Sequence, residues 1–587
     1  MKFIGKLKTR LKGLIESISR YPLTTVFLLA GAIINGIAIS KETEYFKLLL
    51  TFLVGAFLSS TAQVIYERFF NRPSSRYVLM GLVILLTAGY YLIIRPSPHL
   101  SMEIGIRTGI ALFAVLITFI WVPSIRSSVS FNESFMIAFK TFFNTLFFSG
   151  ILFGGVSIII RTIDLLLFNV DYTAVAHTAN IIFILFAPIY FLSLIPVYPG
   201  VEDWEKKEVV DKRAYCPRFL EILISYIIIP LIAVFTIILL VYIIINIRED
   251  FWKDNLLEPM LVSYSITVIL VYILASRQQN KFALFFRRVF PKVLVPIVLF
   301  QAISSVLKLG DMGVTHMRYF VILYGIFAMA SGILLSFLPI RKNGVIAAML
   351  IVFAVISILP PVDAFTVSRA SQTGILKEVL VRNDMLVNNS IRPKEGISGK
   401  DKQIISEAVT YLSMMQYTDN IQWLPNNFDM YKDFYKTFGF KKYDEPIEKD
   451  QMLFMGLKPE YALDVAGYDH FVRMSITIPG KENYVKICDI AKGDKHYILE
   501  KNITQGQGDI LLSGENGEEI IRYQTREIFD SFKGYHSIDG MLTVEEATFT
   551  KENNLVKMTL VIQNLEINKT AGEDFYGADL YVFIKIK

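Results

Sequence analysis

The sequence predicts an all-α polytopic membrane helix bundle of about eleven spans, followed by a soluble α+β domain with an antiparallel sheet. The 587 residues are 53% hydrophobic and only 19% charged, whereas soluble globular domains average about 25% charged residues. Mainly apolar segments that are long enough to cross a bilayer core recur through residues 21–361. Beyond residue 361 these segments stop, and an alternating apolar pattern appears after about residue 465. Together these observations divide the chain into a membrane part and a soluble part.

The N-terminal segment, residues 1–20, is basic and amphipathic. Apolar residues recur at helical spacing in MKFIGKLKTRLKGLIESISR, with lysine and arginine between them. The segment lacks the small-residue cleavage pattern of a signal peptide, so we do not expect it to be removed. We expect a helix lying in the headgroup layer; the alternative is a solvated basic leader.

Residues 21–361 form the predicted transmembrane domain. Three of its segments are less regular: Arg107 lies in the first turn of 105–122, Lys140 lies inside 136–160, and 291–308 could be partly re-entrant. The predicted spans are 21–40, 46–66, 77–94, 105–122, 136–160, 176–196, 219–247, 258–275, 291–308, 318–339 and 344–361.

The distribution of lysine and arginine predicts the orientation. If the N-terminus is cytoplasmic, the connections on that side carry 22 basic residues and those on the other side carry 9. Basic residues accumulate in cytoplasmic loops, and an odd number of spans then places residues 362–587 outside the cytoplasm. We therefore predict a cell-membrane protein with an extracytoplasmic C-terminal domain.

The charge balance indicates the partners. Residues 1–361 hold 32 Lys+Arg against 19 Asp+Glu, and residues 362–587 hold 27 against 34. Because the basic residues cluster at the ends of apolar segments, they fit a lipid bilayer with an anionic leaflet and not a nucleic acid. A cell-envelope polymer or a protein is the further candidate partner, since Trp423 and many tyrosines could stack on sugars. Such aromatic residues more often belong to a core.

Residues 362–587 are predicted to form the soluble α+β domain. Helical patterns occur after Pro361, from Ser398 to Met415, and in NNFDMYKDFYKTFGF, which ends at Gly439. Alternating patterns in FVRMSITI, NYVKICDI and KHYILEK predict strands. We also expect MLTVEEATF and LVKMTLVIQNLEI to pair across Asn553-Asn554, and the final LYVFIKIK to bury one face.

Three segments resemble a known family. FFNTLFFSGILFGGVSIIIRTIDLLL, RYFVILYGIFAMASGILLSF and PPVDAFTVSRASQTGILKEVL are similar to bacterial inner-membrane proteins grouped as domain of unknown function 4153. The similarity covers residues from about 70 to 385, and the pairs Ser368-Arg369 and Ser371-Gln372 are its most distinctive part. The resemblance implies a bacterial origin and a plasma-membrane location, and it brings no known reaction or ligand.

Ionisable and amide side chains inside apolar segments are the candidate site residues. They are Lys140 and Asn144, four residues apart, together with Glu221 and Gln301. A charge in hydrocarbon is costly unless it is paired or hydrated, so these residues could mark a polar pathway or a bound polar ligand. Lys140 and Glu221 could instead lie near helix ends and reach the interface, which is the interpretation that we favour. Gly150 and Gly154 predict close packing between helices.

The sequence carries no recognised catalytic, metal or cofactor motif, and we predict no cofactor. Cys216 and Cys488 are predicted to lie on opposite sides of the membrane, so we expect no disulfide. The favoured hypothesis is a non-enzymatic envelope protein that anchors an extracytoplasmic sensing or binding domain. A secondary transporter or permease is the alternative. A membrane-embedded transferase, suggested only by Asp164 and Asp171, is the third hypothesis.

Overall fold

The computed structural model of the chain describes residues 12–199, 204–246, 257–307, 313–425, 427–442, 452–459, 461–478, 483–504, 507–532, 541–570 and 573–587. The chain forms two compact units, Met1–Lys442 and Tyr443–Lys587. Residues 12–20 are helical, and the rest of the predicted interfacial helix lies outside the described residues.

The described part of the first unit contains eleven helices that are long and apolar enough to cross a membrane, and each overlaps one predicted span. They are α1 (Pro22–Lys41), α2 (Phe46–Phe69), α3 (Pro73–Ile94), α4 (Met102–Trp121), α5 (Phe131–Leu166), α6 (Ala174–Leu194), α8 (Arg218–Ile245), α9 (Leu257–Leu274), α10 (Lys281–Leu307), α11 (His316–Phe337) and α12 (Gly344–Ile358). A polar helix, α7 (Trp204–Ala214), connects α6 and α8. The predicted membrane bundle is confirmed.

Helix α10 differs from the prediction. Residues 276–292 were expected to be a loop before a span at 291–308, but the helix already begins at Lys281 and continues through Pro291 and Pro296. Hydropathy detects only the apolar part of a helix, so it does not detect the basic first turns of α10. The guanidinium of Arg287 donates to the carbonyl oxygens of Ala275 and Gln278, each at 3.1 Å, and so ties these turns to the preceding chain.

Ion pairs join the segments that were predicted to lie on the cytoplasmic side. We call this side of the bundle the basic end; it comprises residues 12–20, 67–76, 123–133, 194–199, 204–218, 275–288 and 340–343. Arg20 binds Glu67 of α2 through two nitrogens, at 2.8 and 2.7 Å. Glu133, which caps α5 in a capping box with Ser130, lies 3.3 Å from the ammonium of Lys207 and 3.1 Å from the guanidinium of Arg277. Alternate helix ends therefore meet at one side, as antiparallel spans require.

Three helices follow the last span and belong to the same compact unit. They are α13 (Ala364–Arg382), α14 (Gly399–Met414) and α15 (Phe434–Phe438), with a short hairpin of β1 (Leu386–Val387) and β2 (Ser390–Ile391) between the first two. The predicted third helix is thus only five residues long. We call residues 364–425 and 427–438 the docked helices, because their apolar core also takes in Ile106 of α4 and Phe320 of α11.

The close packing of α10 against α11 depends on Gly332, which the sequence pattern did not indicate as a packing residue. A Cβ on Gly332 of α11 would lie 3.1 Å from the carbonyl oxygen of Pro291 and 3.0 Å from a methyl of Val295, so α10 and α11 approach closely there. No described atom lies within 4 Å of a Cβ built on Gly150 or Gly154. The predicted packing role of that pair is therefore wrong for contacts within this chain.

The second unit is built mainly from strands, as predicted. One sheet has the order β4-β12-β11-β3-β9, with β10 also paired to β11, and a second sheet has the order β5-β6-β7-β8. All neighbouring strands are antiparallel except the β3–β9 pair. The strands are β3 (Met452–Leu457), β4 (His470–Ile478), β5 (Asn483–Lys492), β6 (Lys495–Thr504), β7 (Gln507–Gly514), β8 (Glu519–Gln524), β9 (Met541–Leu542), β10 (Thr548–Glu552), β11 (Val556–Thr570) and β12 (Glu573–Ile586).

Both sheets contribute to one apolar core, which also receives helix α16 (Thr525–Ser531). The predicted buried face of the last strand is confirmed, because Leu580, Val582, Ile584 and Ile586 are all buried. The run MLTVEEATF is not a single strand. Thr543 and Glu546 form a capping box that starts the one-turn helix α17 (Val544–Ala547), and only the residues on either side of it are extended.

Candidate functional site

The docked helices attach to the bundle through Asp363, the residue before α13. Its Oδ1 atom accepts hydrogen bonds from the backbone N–H groups of Phe365 and Thr366, at 3.0 and 3.1 Å. The hydroxyl of Thr366 donates to Oδ2 at 2.6 Å, and the guanidinium of Arg107 donates to Oδ1 at 2.7 Å. One fully buried carboxylate thus caps a helix and pairs with a cation of α4.

Arg107 continues this network across α4. Its Nε atom donates to Glu103 at 2.8 Å, and the other oxygen of Glu103 accepts from the hydroxyl of Tyr417 at 2.7 Å. The guanidinium also lies 4.8 Å from the centroid of the Phe365 ring. The charge that made this span doubtful in the sequence is therefore compensated by two carboxylates and an aromatic ring.

A second set of contacts uses the serine-rich residues of α13. Tyr411 of α14 donates to the Ser368 hydroxyl at 2.8 Å, and its oxygen lies 3.0 Å from Nδ1 of His316. The Ser371 hydroxyl accepts from the backbone N–H of Val314 at 3.0 Å. Ser368 and Ser371 belong to the two residue pairs that are the most distinctive part of the family resemblance, and they hold α13 against the start of α11.

Burial and charge affect the titration of this network. Burial alone would raise the pKa of Asp363, but the hydrogen bonds from Thr366, the charge of Arg107 and the N–H of Phe365 outweigh it and hold that pKa below its usual range. Burial, and then the hydrogen bond to Glu103, raise the pKa of Tyr417. At neutral pH the carboxylate of Asp363 is therefore charged and the phenol of Tyr417 is protonated. These are the forms that their hydrogen bonds require.

A groove beside α5 contains two of the four predicted site residues. It has a volume of about 700 Å³ and is lined by Lys140 and Asn144 of α5, Arg213 of α7 and the first turns of α8. The Lys140 ammonium donates to the carbonyl oxygen of Tyr215 at 2.5 Å, and Arg213 donates to that of Leu194 at 2.5 Å. We call this feature the α5 groove.

The other two predicted residues lie elsewhere. Glu221, in the first turn of α8, accepts a hydrogen bond from the amide of Asn280 at 3.2 Å. Gln301 of α10 is only 2% exposed, and neither atom of its amide has a hydrogen-bond partner among the described residues. The structure therefore brings Lys140 and Asn144 together and leaves Glu221 and Gln301 at separate positions.

A second cavity, of ≈ 560 Å³, lies among α1, α2, α4, α5 and α6 and is mainly apolar. It lies along the part of α6 that contains a π-helical segment, Asn180–Phe186, just before Pro188. Proline has no N–H for the regular helical bond, and such a wide turn accommodates that loss. The hydroxyls of Thr145 and Ser149, which line the cavity, have no hydrogen-bond partner among the described residues.

In the second unit, aromatic side chains collect on one face of the larger sheet. We call Tyr461, Tyr468, Phe471, Tyr581 and Phe583 the aromatic strip. The ring of Phe471, which is 56% exposed, lies 5.5 Å from that of Tyr581 and 5.2 Å from that of Phe583. The hydroxyls of Tyr461 and Tyr581 are 3.3 Å apart. Phe583 is buried, so the exposed rings of Phe471 and Tyr461 and the half-buried ring of Tyr581 are the ones that can stack on a ligand.

The sequence patterns did not identify Arg213 or Asp363 as candidate site residues. Arg213 lies in a polar helix outside the apolar segments, and Asp363 directly follows them, so neither was considered as a buried charge. A search for charged residues flanking the spans would have found both. Their partners could not be identified in that way, since Asp363 and Arg107 are 256 positions apart.

Comparison with known proteins identifies a family for this chain. No curated protein and no solved structure matches the chain significantly. The family model described as "Domain of unknown function (DUF4153)" matches residues 23–390, which is more than half of the chain and covers the eleven described spans, except the first residue of α1, together with α13. Because its helices are long and apolar enough to cross a membrane, the chain is an integral membrane protein, and it belongs to the DUF4153 family.

Proposed function

We propose that this protein is a non-enzymatic component of the bacterial cell envelope, which anchors an extracytoplasmic binding domain in the plasma membrane. The observation that carries the proposal is the attachment of the docked helices at the end of the bundle opposite the basic end. There Asp363 binds Arg107 in the second turn of α4, and Tyr411 binds His316, the first residue of α11. The chain thus leaves the bundle on the side that is poor in lysine and arginine, which is the outer side in most membrane proteins.

The orientation is tested by cysteine labelling. In a background with C216S and C488S, Lys400→Cys in α14 and Lys281→Cys at the start of α10 each provide one exposed thiol. We expect a membrane-impermeant maleimide to label position 400 in intact cells and position 281 only after permeabilisation. Labelling of position 281 in intact cells would contradict the proposed orientation.

The aromatic strip supports a binding role for the second unit. Its exposed rings could stack on the apolar faces of sugar rings, while neighbouring polar side chains such as Arg473 and Thr477, exposed on the same strand, bind hydroxyls. A polysaccharide of the cell envelope is therefore the partner that we favour over a protein.

We expect F471A combined with Y581A to weaken binding to isolated cell-wall polysaccharide roughly tenfold, because two stacking rings are lost. The measurement is co-sedimentation of the full-length protein in nanodiscs with insoluble wall material. Tyr484→Ala, which removes an exposed tyrosine from the other sheet, serves as the matched control. Equal retention of both variants and the parent would exclude the strip as the binding surface.

A further inference from the structure

Several cations at the basic end are paired with carboxylates. Arg20 binds Glu67 at 2.7 Å, Lys207 binds Glu133 at 3.3 Å, and Arg277 shares that same glutamate. The α5 groove is different, because its described lining includes Lys140 and Arg213 but no carboxylate. Among the described residues, each of these two cations donates to one backbone carbonyl oxygen.

Each cation keeps hydrogen-bonding capacity for a ligand. A lysine ammonium has three donors and an arginine guanidinium has five, and one donor of each is used by the carbonyl contacts just described. Asn144 lies on the same wall of the groove as Lys140. Burial lowers the pKa of Arg213, and the nearby charge of Arg20 lowers it further. The groove therefore presents positive charge and donors that an anion would stabilise.

The depth of the groove matches the boundary between headgroups and acyl chains. Helix α5 has 36 residues and is about 54 Å long, which exceeds the thickness of a bilayer including its headgroups. Lys140 lies nine residues after the first residue, Phe131, or about 14 Å along the axis from the basic end. Phe143 and Phe219, which also line the groove, are largely exposed at the side of the bundle.

We propose that the α5 groove binds an anionic phospholipid of the leaflet at the basic end. Its phosphate accepts hydrogen bonds from Lys140, Arg213 and Asn144, and its acyl chains lie against Phe143 and Phe219. Basic pockets between membrane helices recognise lipid headgroups in this way. The exposed aromatic side favours a lipid over a soluble phosphate, because a soluble anion gains nothing from apolar contacts. This inference does not depend on which side of the membrane the basic end faces.

The experiment uses the full-length protein in neutral detergent, titrated with phosphatidylglycerol and followed by native mass spectrometry. We expect K140Q combined with R213Q to bind this lipid roughly thirtyfold more weakly than the parent, since each cation near a bilayer surface contributes about 1 kcal/mol. The matched control is K281Q combined with R288Q, which removes one exposed lysine and one exposed arginine of α10. Unchanged affinity of the first variant, or equal loss in the control, would overturn the proposal.

A second measurement leaves both cations in place. Phe219→Trp puts a fluorophore at the rim of the groove, where the native side chain is 77% exposed. Relative to the parent, its emission should be quenched more strongly by brominated phosphatidylglycerol than by brominated phosphatidylcholine. Glycerol phosphate should not relieve the quenching at equal concentration. Equal quenching by both lipids, or relief by glycerol phosphate, would contradict an anionic phospholipid site.

Discussion

Asp363→Ala is expected to destabilise the attachment of the docked helices by about 3 kcal/mol or more, the largest effect of any single polar substitution proposed for this chain. The change removes the N-cap of α13 and leaves Arg107 with only one of its two carboxylate partners. We expect a lower melting temperature in detergent and faster tryptic cleavage after Arg369 and Lys377 of α13. Wild-type cleavage rates at these two sites would show that the contact is dispensable.

Asp363→Asn provides the matched control. Its amide oxygen can still accept from the N–H groups of Phe365 and Thr366, whereas the charge that pairs with Arg107 is lost. The loss of stability should therefore lie between the parent and the alanine variant. Because the pKa of Asp363 is lower in the folded protein, its ionised form stabilises the fold above the unfolded pKa of about 3.9, and this contribution fades as the pH falls below it. The difference in melting temperature between parent and D363N should shrink below about pH 4.

Gly439→Ala is expected to destabilise the docked helices by about 2–4 kcal/mol. Gly439 follows α15 with φ +82°, and a Cβ there would lie 2.6 Å from the backbone nitrogen of Lys394 and 3.0 Å from the carbonyl carbon of Pro393. Neither contact is to a flexible side chain. The clash would also weaken the hydrogen bond from the N–H of Lys394 to the carbonyl oxygen of Phe438, now 3.1 Å.

Gly399→Ala is the control for that substitution. Gly399 is the first residue of α14, and no described atom lies within 4 Å of a Cβ built on it. Alanine favours the helix more than glycine does, so the melting temperature should stay equal or rise slightly. A similar loss at positions 399 and 439 would contradict the steric explanation.

The spans could be predicted from the sequence because each is an apolar run that satisfies its own backbone hydrogen bonds, a property local to the segment. The helix from Ala364 to Arg382 was predicted on similar grounds, through its amphipathic pattern after Pro361. The sites depend instead on contacts between distant residues. Lys140 was found because it interrupts an apolar run, whereas Arg213, on the other wall of the groove, interrupts none. The order of strands in the second unit, where β3 pairs with β11, is likewise set by long-range pairing.

The separation between Arg107 and Asp363 bears on how the protein is made. The two residues are 256 positions apart, and a ribosome that adds 5–20 residues per second needs roughly 13–50 s to cover that distance. During that interval Arg107 of α4 can pair only with Glu103, because its second carboxylate partner, Asp363, has not yet been translated. The fourth span can reach its final state only after the eleventh has been translated, so completion of the bundle is a late, post-insertion event.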